Sequence, residues 1–403
     1  MRDLFRKRRM WRRRGELKDS YDVVIIGAGA HGLATAYYLA QHGITDVAIL
    51  EKSYIGSGAA GRNTTILRSN YKTPEGARFY DASVKLYEGL GAALDFNLLF
   101  SQCGHLTLAH SDRAMFVMAN RAEVNRLEGI DSQLIGPDRV KELAPAMYVG
   151  PRTTYPIMGA LYHPPGGIIR HDAVVWGFAR GADSAGAEIH PYTEVTSLRR
   201  EGDRIAAVET NRGTVRAGTV LNCTAGWSSL LSAMAGVELP ITTHILQACV
   251  TEPVKPFLDV VIVSSQMHVY ISQSDRGEFV MGSEIEPWST YRMQNTLNFL
   301  QDLSRHTLEL FPQLERARLL RAWAGLCDLS PDYSPILGKT EVENFHVSAG
   351  WGTYGFKAAP IVGKTLAELV ASGRTPDLIA PFSLERFYTD ELVSELAAAA
   401  VSH

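Results

Sequence analysis

Apolar and polar positions follow two different periods along this chain. Asp22-Val23-Val24-Ile25-Ile26 is a near-continuous apolar run closed by Gly27, the pattern of a strand buried on both faces. A second run, Asp46-Val47-Ala48-Ile49-Leu50, ends in Glu51, and the stretch between them opens as a helix, so residues 21–52 predict a βαβ unit. Residues 53–63 form a loop of small side chains. Residues 75–98 carry Phe79, Leu86, Tyr87, Leu90 and Leu94 at helical spacing, with Gly89 and Gly91 inside the pattern. Residues 104–109 alternate as a strand. A Pro-Pro-Gly-Gly loop at 164–167 feeds a helix over 172–183, with Asp172 as its N-cap. Short strands are expected at 187–198, 204–210, 214–216 and 220–223. An antiparallel meander is expected over 244–285, with strands at 260–265, 268–273 and 278–283 and a hairpin turn at 274–277. The spacing of Met293, Leu297, Leu300 and Leu308 predicts a helix over 291–311, stopped by Pro312, and a last helix runs to Ser372, closed by Gly373.

The first unit carries chemistry. Gly27 permits a tight turn, Gly29 lets backbone approach a pyrophosphate, and Gly32 lets the helix pack on the strand. The helix N-terminus presents free N–H groups to phosphate, and Glu51 stands where an adenosine ribose needs an acceptor. Strand, glycine triplet, helix and acid in this order indicate a site for FAD or NAD.

The element order gives a fold class of α/β plus α+β, a Rossmann-type dinucleotide domain interleaved with an antiparallel-sheet substrate domain. The expected division is a basic arm at 1–20, a dinucleotide domain from 21–98, 155–228 and 330–390, and a substrate domain from 99–154 and 229–329. Ligands are expected between the two domains.

Composition narrows the function. The chain has 403 residues, is 46% hydrophobic and 21% charged, and carries a net charge of −3, which gives no general electrostatic case for nucleic acid. Cys103, Cys223, Cys249 and Cys327 are scattered without a CxxC pair, so neither a zinc site nor a disulfide scaffold is suggested, and a reducing, cytoplasmic setting is expected. No metal site and no membrane span are expected. Residues 1–14 are the outlier, with Arg2, Arg6, Lys7, Arg8, Arg9, Arg12, Arg13 and Arg14 against Asp3. The apolar run behind this arm superficially mimics a signal peptide, but Glu16, Lys18, Asp22 and the glycine spacing favour strand-turn-helix. The arm itself reads either as a solvated tail or as a docking segment for an acidic partner subunit.

Longer motifs carry a resemblance. Residues 57–71 read SGAAGRNTTILRSNY and residues 166–172 read GGIIRHD; 330–338 read SPDYSPILG and 350–357 read GWGTYGFK. With the arginine-rich arm, these resemble the beta subunits of heterotetrameric sarcosine oxidases, a branch of the D-amino-acid-oxidase-type flavoproteins. The resemblance runs from about residue 5 to residue 390.

That resemblance implies FAD held non-covalently and FMN attached through His171, where this chain meets a larger alpha subunit, with small gamma and delta subunits completing the assembly. Gly27, Gly29, Ala30, His31, Gly32, Glu51, Lys52, Gly58, Arg62, Asn63, Thr64, Ile66, Arg170, His171, Val195, Gly226, Gly352, Gly355, Phe356 and Lys357 are the expected cofactor-binding residues, His171 being the one at FMN. Arg68 and Lys357 are the expected anchors of a substrate carboxylate, a task that suits the planar fork of an arginine. Lys357 beside a helix start also suits negative charge on a reduced flavin. Tyr270, with His268 at period two, is the candidate for lining the substrate pocket. Taken alone, each has a plain reading: a surface histidine, a surface lysine, a salt-bridged arginine, a core tyrosine.

The implied reaction is oxidative demethylation of sarcosine to glycine and formaldehyde or a tetrahydrofolate one-carbon unit, electrons passing from FAD to FMN and then to O2, giving H2O2. Another secondary or D-amino acid (dimethylglycine, proline, an opine) and a non-catalytic flavin-binding assembly subunit are the alternatives. The chain departs from its single-flavin relatives in three places: Cys327 is out of register for a covalent flavin bond, residues 53–70 contain no histidine, and Val280 stands where those oxidases carry an oxygen-activating lysine.

Overall fold

The computed structural model describes residues 10–12, 15–150 and 153–395. Most of the basic arm therefore lies outside the described residues. Of it, Trp11 packs on the dinucleotide-domain core and Arg12 lies 3.8 Å from Asp183.

The first sheet has a parallel centre. Its strands run Ile336–Lys339, Phe345–Ala349, Gly213–Asn222, Ser20–Ile26, Val47–Glu51 and Glu188–Pro191, all parallel to their neighbours except the outermost Ile336–Lys339. Valine and isoleucine fill both faces of Ser20–Ile26, where Val24 and Ile25 are fully buried. Helices Ala30–Gln41, His171–Ser184 and Ala359–Ser372 contribute the aliphatic core on one face. On the other, Val195–Glu201, Arg204–Thr210 and the start of Gly213–Asn222 form an antiparallel flap with its own core.

The second sheet runs Leu319–Leu329, Thr242–Thr251, Phe279–Ile285, Val269–Gln273, Val261–Ser264, His105–Ala109, Gly159–His163 and Gln133–Ile135. All pairs are antiparallel except Val261–Ser264 with His105–Ala109. One face carries Leu106, Leu108, Ile262, Ile271 and Met281 into a core against helix Leu297–Leu310. The alternation of strands turns Thr107, Val263 and Tyr270 to the other face.

Several boundaries differ from the sequence reading. Gly159–His163, expected in the dinucleotide domain, pairs in the second sheet, so the chain returns to the first domain after the 164–167 loop. The strands expected at 214–216 and 220–223 are one strand, Gly213–Asn222. The helix expected over 291–311 starts at Leu297, because residues 295 and 296 are held off the helix: Asn295 donates to the Trp323 carbonyl and the Thr296 N–H to Gln247 Oε1. Thr296 caps it, accepting from the Phe299 N–H at 3.2 Å. The buried face is Phe299, Leu303, Thr307 and Leu310, while Leu297 and Leu308 face out. Asp172 is not an N-cap. The helix begins at His171, and Asp172 pairs with Arg170 at 3.0 Å. The helix over 75–98 is Pro74–Ala93, capped by Thr73; Gly89 lies within it at an exposed position and Gly91 at a half-buried one.

Candidate active site

A cleft of about 360 Å³ opens at the carboxyl ends of Ser20–Ile26 and Val47–Glu51, the edge at which open α/β sheets bind ligands. The three glycines meet three different demands there. Gly27 has φ +108°, and a β-carbon on it would collide with the Cys223 carbonyl. A β-carbon on Gly32 would collide with the Gly27 carbonyl and touch Ile25 at 3.1 Å. Gly29, N-cap of the first helix, has nothing within 4 Å of where its β-carbon would stand. That open space, in front of unpaired helix N–H groups, fits a pyrophosphate.

Glu51 closes this corner. Its Oε2 accepts from the Ala28 N–H at 3.1 Å, and its Oε1 accepts from the Ser53 N–H at 2.8 Å and from Ser57 Oγ at 3.3 Å. Bonds to N–H and O–H donors keep the carboxylate oriented, with acceptor capacity left for a ribose. Lys52 lays its ammonium 3.6 Å from the Trp227 ring centroid. His31 ties the helix start to the last segment of the chain. Its Nε2–H donates to the Gly355 carbonyl at 2.6 Å, and its Nδ1 accepts from Ser348 Oγ at 3.0 Å. Burial pushes this imidazole down to about 4, so it is neutral.

The loop that follows is shaped by its own polar groups. Arg62 Nη1 donates to the Gly58 carbonyl, Asn63 Nδ2 to the Ala60 carbonyl, and the Thr65 N–H to Asn63 Oδ1 at 2.7 Å; Thr65 itself is left-handed at φ +67°. On the far wall, Asp328 is fully buried, its Oδ2 accepting from the Gly350 N–H at 2.7 Å, and burial pushes it up to about 6. Cys327 lines the same wall, its thiol held protonated by burial.

Of the sequence candidates, Gly27, Gly29, Ala30, His31, Glu51, Lys52, Gly58, Arg62, Asn63, Thr64, Val195, Gly352, Gly355, Phe356 and Tyr270 line the cleft. Gly32 and Gly226 act behind it as packing positions; a β-carbon on Gly226 would meet Leu326 Cβ at 2.5 Å. Ile66 pairs with Ile168 in a two-residue ladder. Arg170 and His171 lie elsewhere, at the start of helix His171–Ser184. There His171 is half-buried and lowered mainly by burial, with Asp172, Arg170 and Arg321 as its charged neighbours. His268 departs from the sequence reading. It sits in a turn at φ +47°, outside Val269–Gln273, so it does not continue the face of Tyr270.

Arg68 and Lys357 do not line the cleft. They are buried in the adjoining wall, where Arg68 stacks 4.5 Å from the Tyr71 ring centroid and Lys357 Nζ lies 5.8 Å from that of Tyr354. Tyr71 and Tyr354 touch edge to face. Burial, then the charge of Arg68, drives the Lys357 ammonium well below its ordinary value. Three further residues of this wall carried no signal in the sequence reading. Arg121 comes from a helix that reads as a polar surface helix. His163 donates Nδ1–H to the Asp131 carbonyl and accepts the Ser69 N–H at 3.2 Å on Nε2. His105, directly across from His163 and two residues before Thr107, shares the face of Tyr270; it is 1% exposed and, among the described residues, neither ring nitrogen has a hydrogen-bond partner.

Comparison with known proteins places this geometry. The family of FAD dependent oxidoreductases designated DAO matches residues 22–369. Sarcosine oxidase subunit beta of an Arthrobacter species is 46% identical over 389 residues, covering 96% of each chain. The subunit of the same name from Rhodobacter capsulatus is 45% identical over 390 residues, 96% of this chain and 94% of that one. The crystal structure of L-proline dehydrogenase from P. horikoshii superposes with a TM-score of 0.88 at 30% identity, covering 94% of this chain and all of the other. The chain belongs to the DAO family of FAD-dependent oxidoreductases, and within it to the group of sarcosine oxidase beta subunits. Among the described residues, no helix is long and apolar enough to cross a membrane, and no His, Cys, Asp and Glu cluster is grouped to hold a metal ion.

Proposed function

We propose that this chain oxidises the N-methyl group of sarcosine, or of a similar small N-methyl amino acid, with FAD in the cleft. FAD supplies a hydride acceptor for the carbon beside the amine nitrogen. The observation that carries the reading is the pairing of buried cations with an apolar sheet face. Arg68 and Lys357 offer a carboxylate two positive partners in a low-dielectric wall, and Tyr270 covers the adjoining face. A purely structural flavin site has no use for such a clamp.

Charge in this wall also selects the protonation state of the substrate. The guanidiniums of Arg68 and Arg121 disfavour a further cation, so the amine is held neutral, the form able to release hydride. Lys357, lowered by burial and then by the charge of Arg68, is a candidate to exchange a proton with the amine as the carboxylate seats. The cofactor roles proposed for Gly27, Gly29, Glu51, Lys52 and the 350–357 segment follow from their positions around the cleft.

For His171 we propose covalent FMN, at an interface with a larger alpha subunit. Support comes from a half-buried imidazole favoured in its neutral, nucleophilic form, with the guanidiniums of Arg170 and Arg321 in its surroundings. Glycine and formaldehyde, or a tetrahydrofolate one-carbon unit, are then the products. Electrons leave through FMN to O2, giving H2O2, in a hetero-oligomer of cytoplasmic location. The test is acid precipitation of the co-expressed complex. Flavin mapping to His171 beside releasable FAD supports the two-flavin reading. Release of all flavin as FAD removes it and leaves oxidation of another secondary amino acid, proline included.

A further inference from the structure

The wall behind the cleft holds more positive charge than a clamp of Arg68 and Lys357 requires. Helix Asp112–Leu127 is polar, and of its residues only Arg121, Ala122 and Asn125 are buried. Arg121 is 7% exposed. Its Nε donates to the Asn70 carbonyl at 2.6 Å, and its Nη2 donates to the same carbonyl and to Asn70 Oδ1, the latter at 3.1 Å. Arg68 Nη1 donates to the same two acceptors, at 3.2 and 3.0 Å. One neutral asparagine thus holds two buried guanidiniums.

Among the described residues, no carboxylate lies within ion-pair distance of Arg121. Glu395 acts on it through space, and its oxygens already accept from the Lys72 N–H, the Thr73 N–H and Thr73 Oγ1. Among the described residues Asn70 Nδ2 has no hydrogen-bond partner, so this asparagine serves its neighbours as an acceptor. Tethering the helix does not call for a charge either, because Asn125 Nδ2 already donates to the Tyr71 carbonyl at 2.7 Å. A buried guanidinium such as that of Arg121, with no contacting acid among the described residues, is costly, and an arriving anion offsets that cost.

We propose that Arg121 is a positioning residue for the substrate carboxylate: through Asn70 it fixes where the Arg68 guanidinium lies, and its charge adds to the attraction for the anion. The inference rests on the reading of the wall as an amino-acid site. It goes beyond the Arg68–Lys357 pair by assigning the third cation and the asparagine that couples it.

The test uses the complex as purified, loaded with FAD, and acetate as an unreactive carboxylate probe followed by the change it causes in the flavin spectrum. Arg121→Gln is expected to raise the Kd of acetate and the half-saturating sarcosine concentration about tenfold or more, as for loss of a charge-assisted interaction. Flavin content is kept, and the limiting rate of flavin reduction changes less than the Kd. Arg121→Lys recovers part of the affinity, having the charge without the fork. Asn70→Ser reproduces the loss, and combined with Arg121→Gln it adds little, since both act through one contact. If Arg121→Gln does not fold, Asn70→Ser carries the test alone. Wild-type affinity in Arg121→Gln or Asn70→Ser overturns the inference, as does equal loss in the Gln and Lys variants together with loss of flavin. If the unmutated complex neither responds to acetate nor is reduced by any amino acid, the amino-acid reading itself falls.

Discussion

The ring of Tyr270 lies across Gly282 of the neighbouring strand, its hydroxyl occupying the place where a β-carbon on that glycine would stand. The glycine thereby lets the tyrosine lie flat on the sheet face toward the cleft. Gly282→Ala must push the ring off this position. A small-to-large change in a packed site costs about 1–3 kcal/mol. The expected outcome is a fall in kcat/KM of about tenfold or more with FAD retained, matched in direction by Tyr270→Leu. Unchanged turnover in Gly282→Ala would show that the ring position is immaterial to the reaction.

Gly29 and Gly32 separate cofactor binding from packing. Gly29→Val meets open space and is expected to leave the thermal midpoint of the flavin-free chain within a few degrees, while weakening FAD by two or more orders of magnitude. Gly32→Ala presses on Gly27 and Ile25 and is expected to lower stability by about 1–3 kcal/mol, with FAD affinity following. Thermal denaturation with and without FAD, together with fluorescence titration, checks both.

His31 gives a signed pH dependence. Its folded value of about 4 lies below the ordinary 6.5, so the unfolded chain binds the extra proton first. The stability tied to neutral His31 is whole above pH 6.5 and is lost as pH falls toward 4, with a span of about 3 kcal/mol. Asp328, raised from 3.8 to about 6, has the opposite sign: its penalty sets in as pH rises from 4 to 6. His31→Gln should therefore flatten the acid limb of a stability-versus-pH curve, and Asp328→Asn should steepen it. Parallel curves for either variant contradict the assignment.

His105 is expected to be dispensable for folding. Removing a buried imidazole without hydrogen-bond partners exposes no orphaned group, so His105→Leu should hold stability within about 1 kcal/mol of the parent. Its position on the Tyr270 face predicts a severalfold change in half-saturating sarcosine. Urea denaturation and initial-rate kinetics read the two effects separately.

How much of this was legible in the sequence depends on range. The βαβ unit, Gly27, Gly29 and Glu51 are local features, where strand, turn and helix follow one another within a short run, and each glycine has one physical demand. Gly373, left-handed at φ +69°, ends the last helix by the same local logic. Leu297 and Leu308 misled because a helical repeat does not reveal where a helix begins; that was decided by Gln247 and Trp323, distant in sequence. Gly159–His163 was misplaced because its partners, His105–Ala109 and Gln133–Ile135, are separated from it in sequence by the helices Asp112–Leu127 and Pro137–Leu143. Arg121 and His105 were invisible for the same reason. Each is an ordinary residue on its own element, and its surroundings exist only after two domains meet. Resemblance, and not periodicity, singled out Arg68 and His171.

The central claim is that the buried cations hold the carboxylate of an amine whose carbon is oxidised at FAD. Anaerobic mixing of the FAD-loaded complex with sarcosine, in the parent and in Lys357→Met, tests it most directly by the rate at which the flavin absorbance bleaches. The account predicts saturable bleaching in the parent and a limiting rate lower by about a hundredfold or more in the variant, with flavin content unchanged. Bleaching of Lys357→Met at the parental rate and half-saturation would contradict it.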